Sequence, residues 1–408
     1  MSESFEITLQ ELYRIKWYET FFHLLVACLS LADPITDIFT LVGFYRADHV
    51  TWFSVGLVFV ILPCLFYPLS HYFSAESVAQ RNMDAALSLN TLKSVKTKHL
   101  RVLFRLHPFA PFLTKLQTFW MCLRHYDDIW KRSSQYHKTE LPTRPEWATE
   151  KTDALLLQNK IDTLFEALLE SAPQILIQLF AIGVQEEPVQ NIQMISLPLS
   201  FLSLSLSFST LDKMLHDDEI GVLDLKHDVL LFVTELLILI GRLFAIAFFI
   251  VSYKWWVCIV IFLHAIILMV IDILYCYQTG NLKREAALVA PCFSLLNWLR
   301  DDMSLGLYVD ASASANRNTR KHFINMQNLC NILFVLENLS MISLFFLKER
   351  FHNWYSLPLL ICVSLFSYLG ATLRYFHLRD LRHNYEPYTT NEVRSAQQAG
   401  QFQRVTFV

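Results

Sequence analysis

Charge is scarce in this sequence, and the scarcity excludes most soluble folds. Asp, Glu, Lys and Arg make up 17% of the 408 residues, where a soluble chain of this size carries about 25%. Glycine is scarce as well. The nine glycines are scattered, and the closest two, Gly43 and Gly56, stand thirteen residues apart, so no glycine-rich loop is available to cradle a phosphate. Neither H-E-x-x-H nor G-x-S-x-G occurs, and His99, His107, His125 and His137 lack ligand spacing, so no enzyme activity is expected. The eight cysteines stand singly, without a C-x-x-C pair. They read as buried membrane thiols, and neither a metal nor any cofactor is expected. A net charge of −3 creates no field directed at nucleic acid. The first fifteen residues are mixed and acidic with no apolar core, so no signal peptide is expected.

What the chain has in abundance is apolar length. It is 54% hydrophobic and holds 32 Phe and nine Trp, residues suited to lipid-facing and interfacial surfaces. A membrane span needs about 20 mostly apolar residues. Eight stretches qualify: 18–43, 52–71, 155–184, 192–210, 229–251, 255–278, 325–347 and 354–377. Two more, 102–123 and 285–305, are apolar but broken, the first by Pro108 and Pro111 and the second by Pro291 and Arg300-Asp301-Asp302. They suit re-entrant segments covered by protein or water. The expected fold is therefore an all-α polytopic membrane protein with eight transmembrane helices and two partly inserted helices.

With the N-terminus in the cytosol, the outer loops hold only Arg46, Lys254, Lys348 and Arg350. The basic segment 72–154, the loop 279–324 and the tail then all fall inside, as the positive-inside rule requires. Both termini are expected to be cytosolic. The order span, span, broken segment, span, span occurs twice, which predicts two topologically similar halves. The expected organisation is a cytosolic N-terminus 1–17, a first membrane repeat 18–228 containing the cytosolic segment 72–154, a second repeat 229–378, and a cytosolic tail 379–408.

The apolar stretches keep charges at a cost of about 2.5 kcal/mol or more each at a helix centre. Asp33 and Asp37 lie four apart, with Pro34 between them to loosen a turn and admit water. Glu166, Glu170, Gln174 and Gln178 recur at a spacing of four, and Pro173 is expected to kink that helix. Glu235 and Arg242 lie seven apart on one face of the fifth span; Arg242 is expected to pair with Glu170, Asp33 or Asp37. Asp272 and Glu337-Asn338 add acid to later spans. Ser196, Ser200, Ser203 and Ser207 share a face of the fourth span and read first as a close-packing surface. The charges together read as a polar seam, serving ions, protons, lipid headgroups or helix packing.

Several of these stretches resemble signatures of the XK-related membrane protein family, in that family's order. They are Asp33–Asp37 (DPITD), Leu169–Leu179 (LESAPQILIQL), Gly241–Ala245 (GRLFA) and Phe334–Asn338 (FVLEN), and the resemblance extends over about residues 18–378. It implies two similar halves with eight spans and two partly inserted helices. It also implies energy-independent phospholipid scrambling at the plasma membrane, exposing phosphatidylserine in apoptosis. Headgroups would follow a track of Asp33, Asp37, Glu166, Glu170, Gln174, Gln178, Glu235, Arg242, Asp272 and Glu337, with Arg242 attracting phosphate and carboxylates meeting ammonium. Partners implied are bilayer phospholipids and, for some relatives, a single-span membrane protein or a lipid-transfer protein. Relatives opened by a caspase carry an Asp-x-x-Asp site in a tail, and neither tail here has one. Val309-Asp310-Ala311, beside the polar linker 311–318, is the candidate cleavage point. The terminal Thr406-Phe407-Val408 fits capture by a PDZ domain. Two alternatives to scrambling stand beside it: a membrane docking subunit for a lipid-transfer or other partner, and an ion-coupled transporter or channel.

Overall fold

The computed structural model describes residues 17–63, 166–185, 191–220, 225–279, 297–299, 317–349 and 353–384, with scattered positions between 112 and 123. Most of segments 72–154 and 285–305, the candidate cleavage point Asp310, the linker before Arg317, and the terminal Thr406 and Val408 lie outside the described residues.

Every regular element among the described residues is helical. In chain order these are α1 (Trp17–Arg46), α2 (Val50–Pro63), a π-turn (Ala167–Ser171) leading into α3 (Ala172–Val184), α4 (Asn191–Ile220) and α5 (Leu225–Tyr253). They continue with α6 (Trp256–Thr279), a 3₁₀ turn (Asn297–Leu299), α7 (Arg317–Glu349) and α8 (Ser356–Asn384). Six stretches are long and apolar enough to cross a membrane, in α1, α4, α5, α7, α8 and the π-turn with α3. The apolar parts of α2 and α6, Val50–Pro63 and Trp256–Ile271, are shorter. The architecture is that of a multi-pass membrane protein.

The helices are longer than the apolar runs, and almost always at the same end. α4 continues to Ile220, α7 begins at Arg317 and α8 reaches Asn384. At the opposite end the connections are tight. α1 turns into α2 through Asp48 at φ 60°, and α5 turns into α6 through Lys254 at φ 50°. Both residues occupy the left-handed region, which few non-glycine residues adopt. Each turn is closed by backbone bonds, His49 N–H to Phe44 O at 2.9 Å and Lys254 N–H to Ile250 O at 2.7 Å. The first hairpin of each predicted half is thus built the same way.

α5 is the hub. It packs against α3, α4, α6, α7 and α8, whereas α1 packs along α4. One apolar core joins Ile175 and Leu179 of α3, Leu204 and Phe208 of α4, Leu239 and Leu243 of α5, Phe345 of α7 and Val363 of α8. In lipid the association of helices rests on close packing more than on the hydrophobic effect, and the α5–α8 contact shows it. A Cβ on Gly241 would collide with Ser367 Oγ and sit 3.1 Å from its backbone nitrogen. One on Gly370 would sit 2.8 Å from Ile238 Cγ1. Residues such as Phe39, Val58, Phe262, Ile361 and Tyr368 remain exposed on the outer faces, as lipid-facing side chains do.

Two proline expectations are refined. α1 runs unbroken through Pro34. The Thr36 hydroxyl donates to Asp33 O, and the Thr40 hydroxyl donates to Thr36 O, each at 2.9 Å. Pro173 stands in the first turn of α3, just after the π-turn, where Ala172 N–H reaches back to Ala167 O. The irregularity that proline demands is taken up before it, as a widened turn.

Candidate functional site

The polar residues of the spans fall into two buried clusters. The first is built by α1, α3 and α4. Asp33 and Asp37 are 1% and 0% exposed. Asp33 accepts bonds from the hydroxyls of Ser171, at 2.7 Å, and Ser200. Asp37 accepts from Gln178 Nε2 at 3.1 Å and Ser196 Oγ at 3.2 Å. One turn toward the α1 N-terminus, Ser30 donates to Glu166 at 2.6 Å. Lys115, from the scattered positions of the first broken segment, donates to Glu166 and to Ser30. Gln174 Nε2 donates to the Gly56 carbonyl at 2.7 Å and fastens α2 to α3. Glu170 is buried in the same stripe. The result is a column of carboxylates and their donors, three helical turns long, along the α1–α3–α4 seam.

The second cluster surrounds Arg242 of α5, which is fully buried. Its Nε donates to Trp298 O at 3.0 Å, Nη1 to Asn338 Oδ1 at 3.0 Å and Nη2 to Glu337 Oε1 at 3.2 Å. Nη1 also lies 3.2 Å from Glu337 Oε2, and the guanidinium carbon stands 4.8 Å from the centre of the Phe334 ring. Glu337 Oε2 is shared with His264 Nδ1 of α6, at 2.7 Å. Asn338 passes the network on to Ser367 of α8 at 3.3 Å.

This corrects the expected partner of Arg242. It pairs with Glu337, not with Glu170, Asp33 or Asp37, because α7 packs along α5, while α1 packs along α4 and the π-turn that carries Glu170 packs on α3 and α4. Glu235, two turns earlier on α5, instead takes Arg374 of α8 at 3.1 Å, both side chains buried. The serine stripe is also corrected in part. Ser196 and Ser200 serve the aspartates, whereas Ser207 donates at 2.9 Å to the Ser203 carbonyl of its own helix. Asp272 lies on α6, and its side chain is outside the described residues.

Lys115, His264, Ser367 and Arg374 were not singled out by sequence pattern. Arg374 and His264 each carried a readable signal, a basic or titratable residue inside an apolar run. Lys115 carried none, since a lysine in a broken apolar stretch reads as an interfacial anchor.

The charge balance separates the clusters. Lys115 pairs with Glu166, Arg242 with Glu337, and Arg374 with Glu235. Asp33, Asp37 and Glu170 have no ion-pair partner among the described residues, and Asp37 Oδ2, Glu170 Oε1 and Gln178 Oε1 have no hydrogen-bond partner there. The first cluster therefore holds more carboxyl groups than the single cation, Lys115, that pairs with it among the described residues. Such a site receives a cationic group, a proton or water, since buried charge without compensation is costly. No grouping with metal-binding arrangement occurs among the described residues.

Against this geometry, the family model described as XK-related protein matches residues 21–378. The chain belongs to the XK-related family. The match spans both clusters, from α1 through α8, so Asp33 and Arg242 alike fall within the XK-related region. No curated protein sequence matches the chain.

Proposed function

We propose that this XK-related protein lets phospholipids, phosphatidylserine included, exchange between the leaflets of the plasma membrane without an energy source. The observation that carries the reading is the buried column from Ser30 and Glu166 through Asp33 to Asp37 and Gln178, with its surplus of carboxylates. A lipid can cross only if its headgroup meets polar partners while its tails stay in hydrocarbon. The column supplies acceptors for the ammonium of choline, ethanolamine or serine. Arg242 and Arg374 supply donors for phosphate once released from their own acids. Asp33, Asp37 and Arg242 are at most 1% exposed, so the described arrangement is the closed one, and activity requires the helices around the column to part. Eight spans with both termini cytosolic complete the proposal, α2 and α6 being the two short members. In apoptosis, parting of the helices would display phosphatidylserine outside.

The test is scrambling in proteoliposomes. Fluorescent lipid is placed in both leaflets and outer dye is destroyed with dithionite. Nearly complete bleaching in sealed vesicles is expected; bleaching that stops at about half overturns the reading for the chain alone, and adding a candidate lipid-transfer or single-span partner then decides for the docking role. The surplus carboxylates favour one second reading, ion-coupled transport. Ionic currents or proton-driven uptake, without lipid exchange, would establish it.

A further inference from the structure

Lys115 brings a cation into the first cluster. It is 5% exposed, and its side chain ends between two oxygens, donating to Ser30 Oγ at 3.1 Å and to Glu166 Oε2. Ser30 in turn donates to Glu166 Oε1 at 2.6 Å, so carboxylate, hydroxyl and ammonium close a triangle at one end of the column. Asp33 and Glu170 lie within electrostatic reach of the same ammonium. Glu170 is 4% exposed, and its Oε1 has no hydrogen-bond partner among the described residues. Three carboxyl groups therefore surround the one ammonium.

The pattern of that triangle continues along α1. One turn on, the Asp33 carboxyl meets the hydroxyls of Ser171 and Ser200. Another turn on, Asp37 meets Ser196 Oγ and Gln178 Nε2. Each level sets a carboxyl beside a hydroxyl, and Lys115 shows what the first level takes. The head of a lysine is the same chemical group as the ammonium of ethanolamine or serine, a compact charge with three N–H donors. A carboxylate oxygen and a hydroxyl oxygen suit such donors. A quaternary ammonium has no N–H, and aromatic faces recognise it instead.

We propose that Ser30, Glu166 and Glu170 form a subsite for a primary ammonium group, which Lys115 fills in the closed arrangement. A headgroup that enters the column by this end displaces Lys115 from Glu166. The lysine thus has two effects. It offsets the cost of a buried carboxylate, and it competes with the incoming ammonium for the same two oxygens. The inference rests on the lipid-exchange reading for the identity of that ammonium, but not for the subsite itself.

The test uses the full chain with Lys115→Ala, which empties the subsite, and with Lys115→Met, which keeps a long side chain and removes the ammonium. Each is purified and melted in methylammonium chloride or in tetramethylammonium chloride, at equal ionic strength. A ligand that binds the folded state alone raises the melting temperature. Methylammonium is expected to raise that of both variants by several degrees and to leave wild type unmoved. A variant that folds in methylammonium and not in tetramethylammonium supports the subsite equally. The same behaviour in both salts, failure to fold in both included, overturns it. Exchange of acyl-labelled phosphatidylethanolamine is then followed in sealed proteoliposomes. In tetramethylammonium the variants should exchange lipid several-fold faster than wild type, and methylammonium should slow them again. A lysine that only braces the fold predicts the opposite, variants no faster than wild type in either salt. Methylammonium-specific stabilisation with no lipid exchange in any form upholds the subsite and removes the lipid reading. Lipid exchange without methylammonium-specific stabilisation does the reverse.

Discussion

At the scale of single residues the two clusters should respond oppositely to charge removal. Arg242 occupies Glu337, Asn338 and the Trp298 carbonyl at once. Arg242→Ala leaves the partly buried Glu337 with only His264, and breaking a pair whose cation is fully buried costs up to about 3–5 kcal/mol. The variant should lose folded protein on gel filtration and melt well below wild type. Arg242→Ala paired with Glu337→Ala should recover part of that loss, which a double-mutant cycle reads directly. Asp37 has no cation to lose among the described residues. Asp37→Asn keeps the acceptor for Ser196 and Gln178, so its melting temperature should hold or rise in a detergent melt. Stability gained at the expense of activity is the usual mark of a functional charge. If Asp37→Asn instead melts far below wild type, the aspartate is a structural anchor.

At the scale of elements, most helices were legible because an apolar run of span length admits little else in lipid. Their neighbours were not. Periodicity placed Arg242 on a face of α5, but which helix covers that face is a matter of packing order, and the partner fell to α7 instead of α1. The π-turn was invisible for a related reason. Glu166, Glu170, Gln174 and Gln178 at a spacing of four read as one straight stripe, yet the widened turn also brings Ser171 round to Asp33. The helix ends were missed in the other direction, since α4, α7 and α8 continue past the apolar runs on polar sequence. The α5–α8 contact carries an element-scale prediction. Gly241→Leu forces a side chain into Ser367 and should destabilise by about 1–3 kcal/mol or more. A fall in melting temperature and in the yield of folded protein is expected, while Leu at the exposed position Val233 should change neither.

At the scale of the whole molecule, the two halves expected from the sequence differ in charge. Each has a hairpin with a left-handed turn residue, Asp48 or Lys254, and a second helix with a polar contact to a neighbour, Gln174 to the Gly56 carbonyl or His264 to Glu337. The first half keeps surplus acid on α1 and α3. In the second half the buried cations among the described residues, Arg242 and Arg374, are matched by Glu337 and Glu235. A zwitterionic headgroup carries both signs, and the two clusters offer a partner for each. The central claim, that the acidic column is the path of the headgroup, is tested most directly by the scrambling rate of the triple variant Asp33→Asn, Asp37→Asn, Glu170→Gln against wild type, at equal protein density in sealed proteoliposomes. The account predicts a folded triple variant whose dithionite bleaching stops at about half while wild type bleaches nearly to completion. A triple variant that scrambles at the wild-type rate would contradict it.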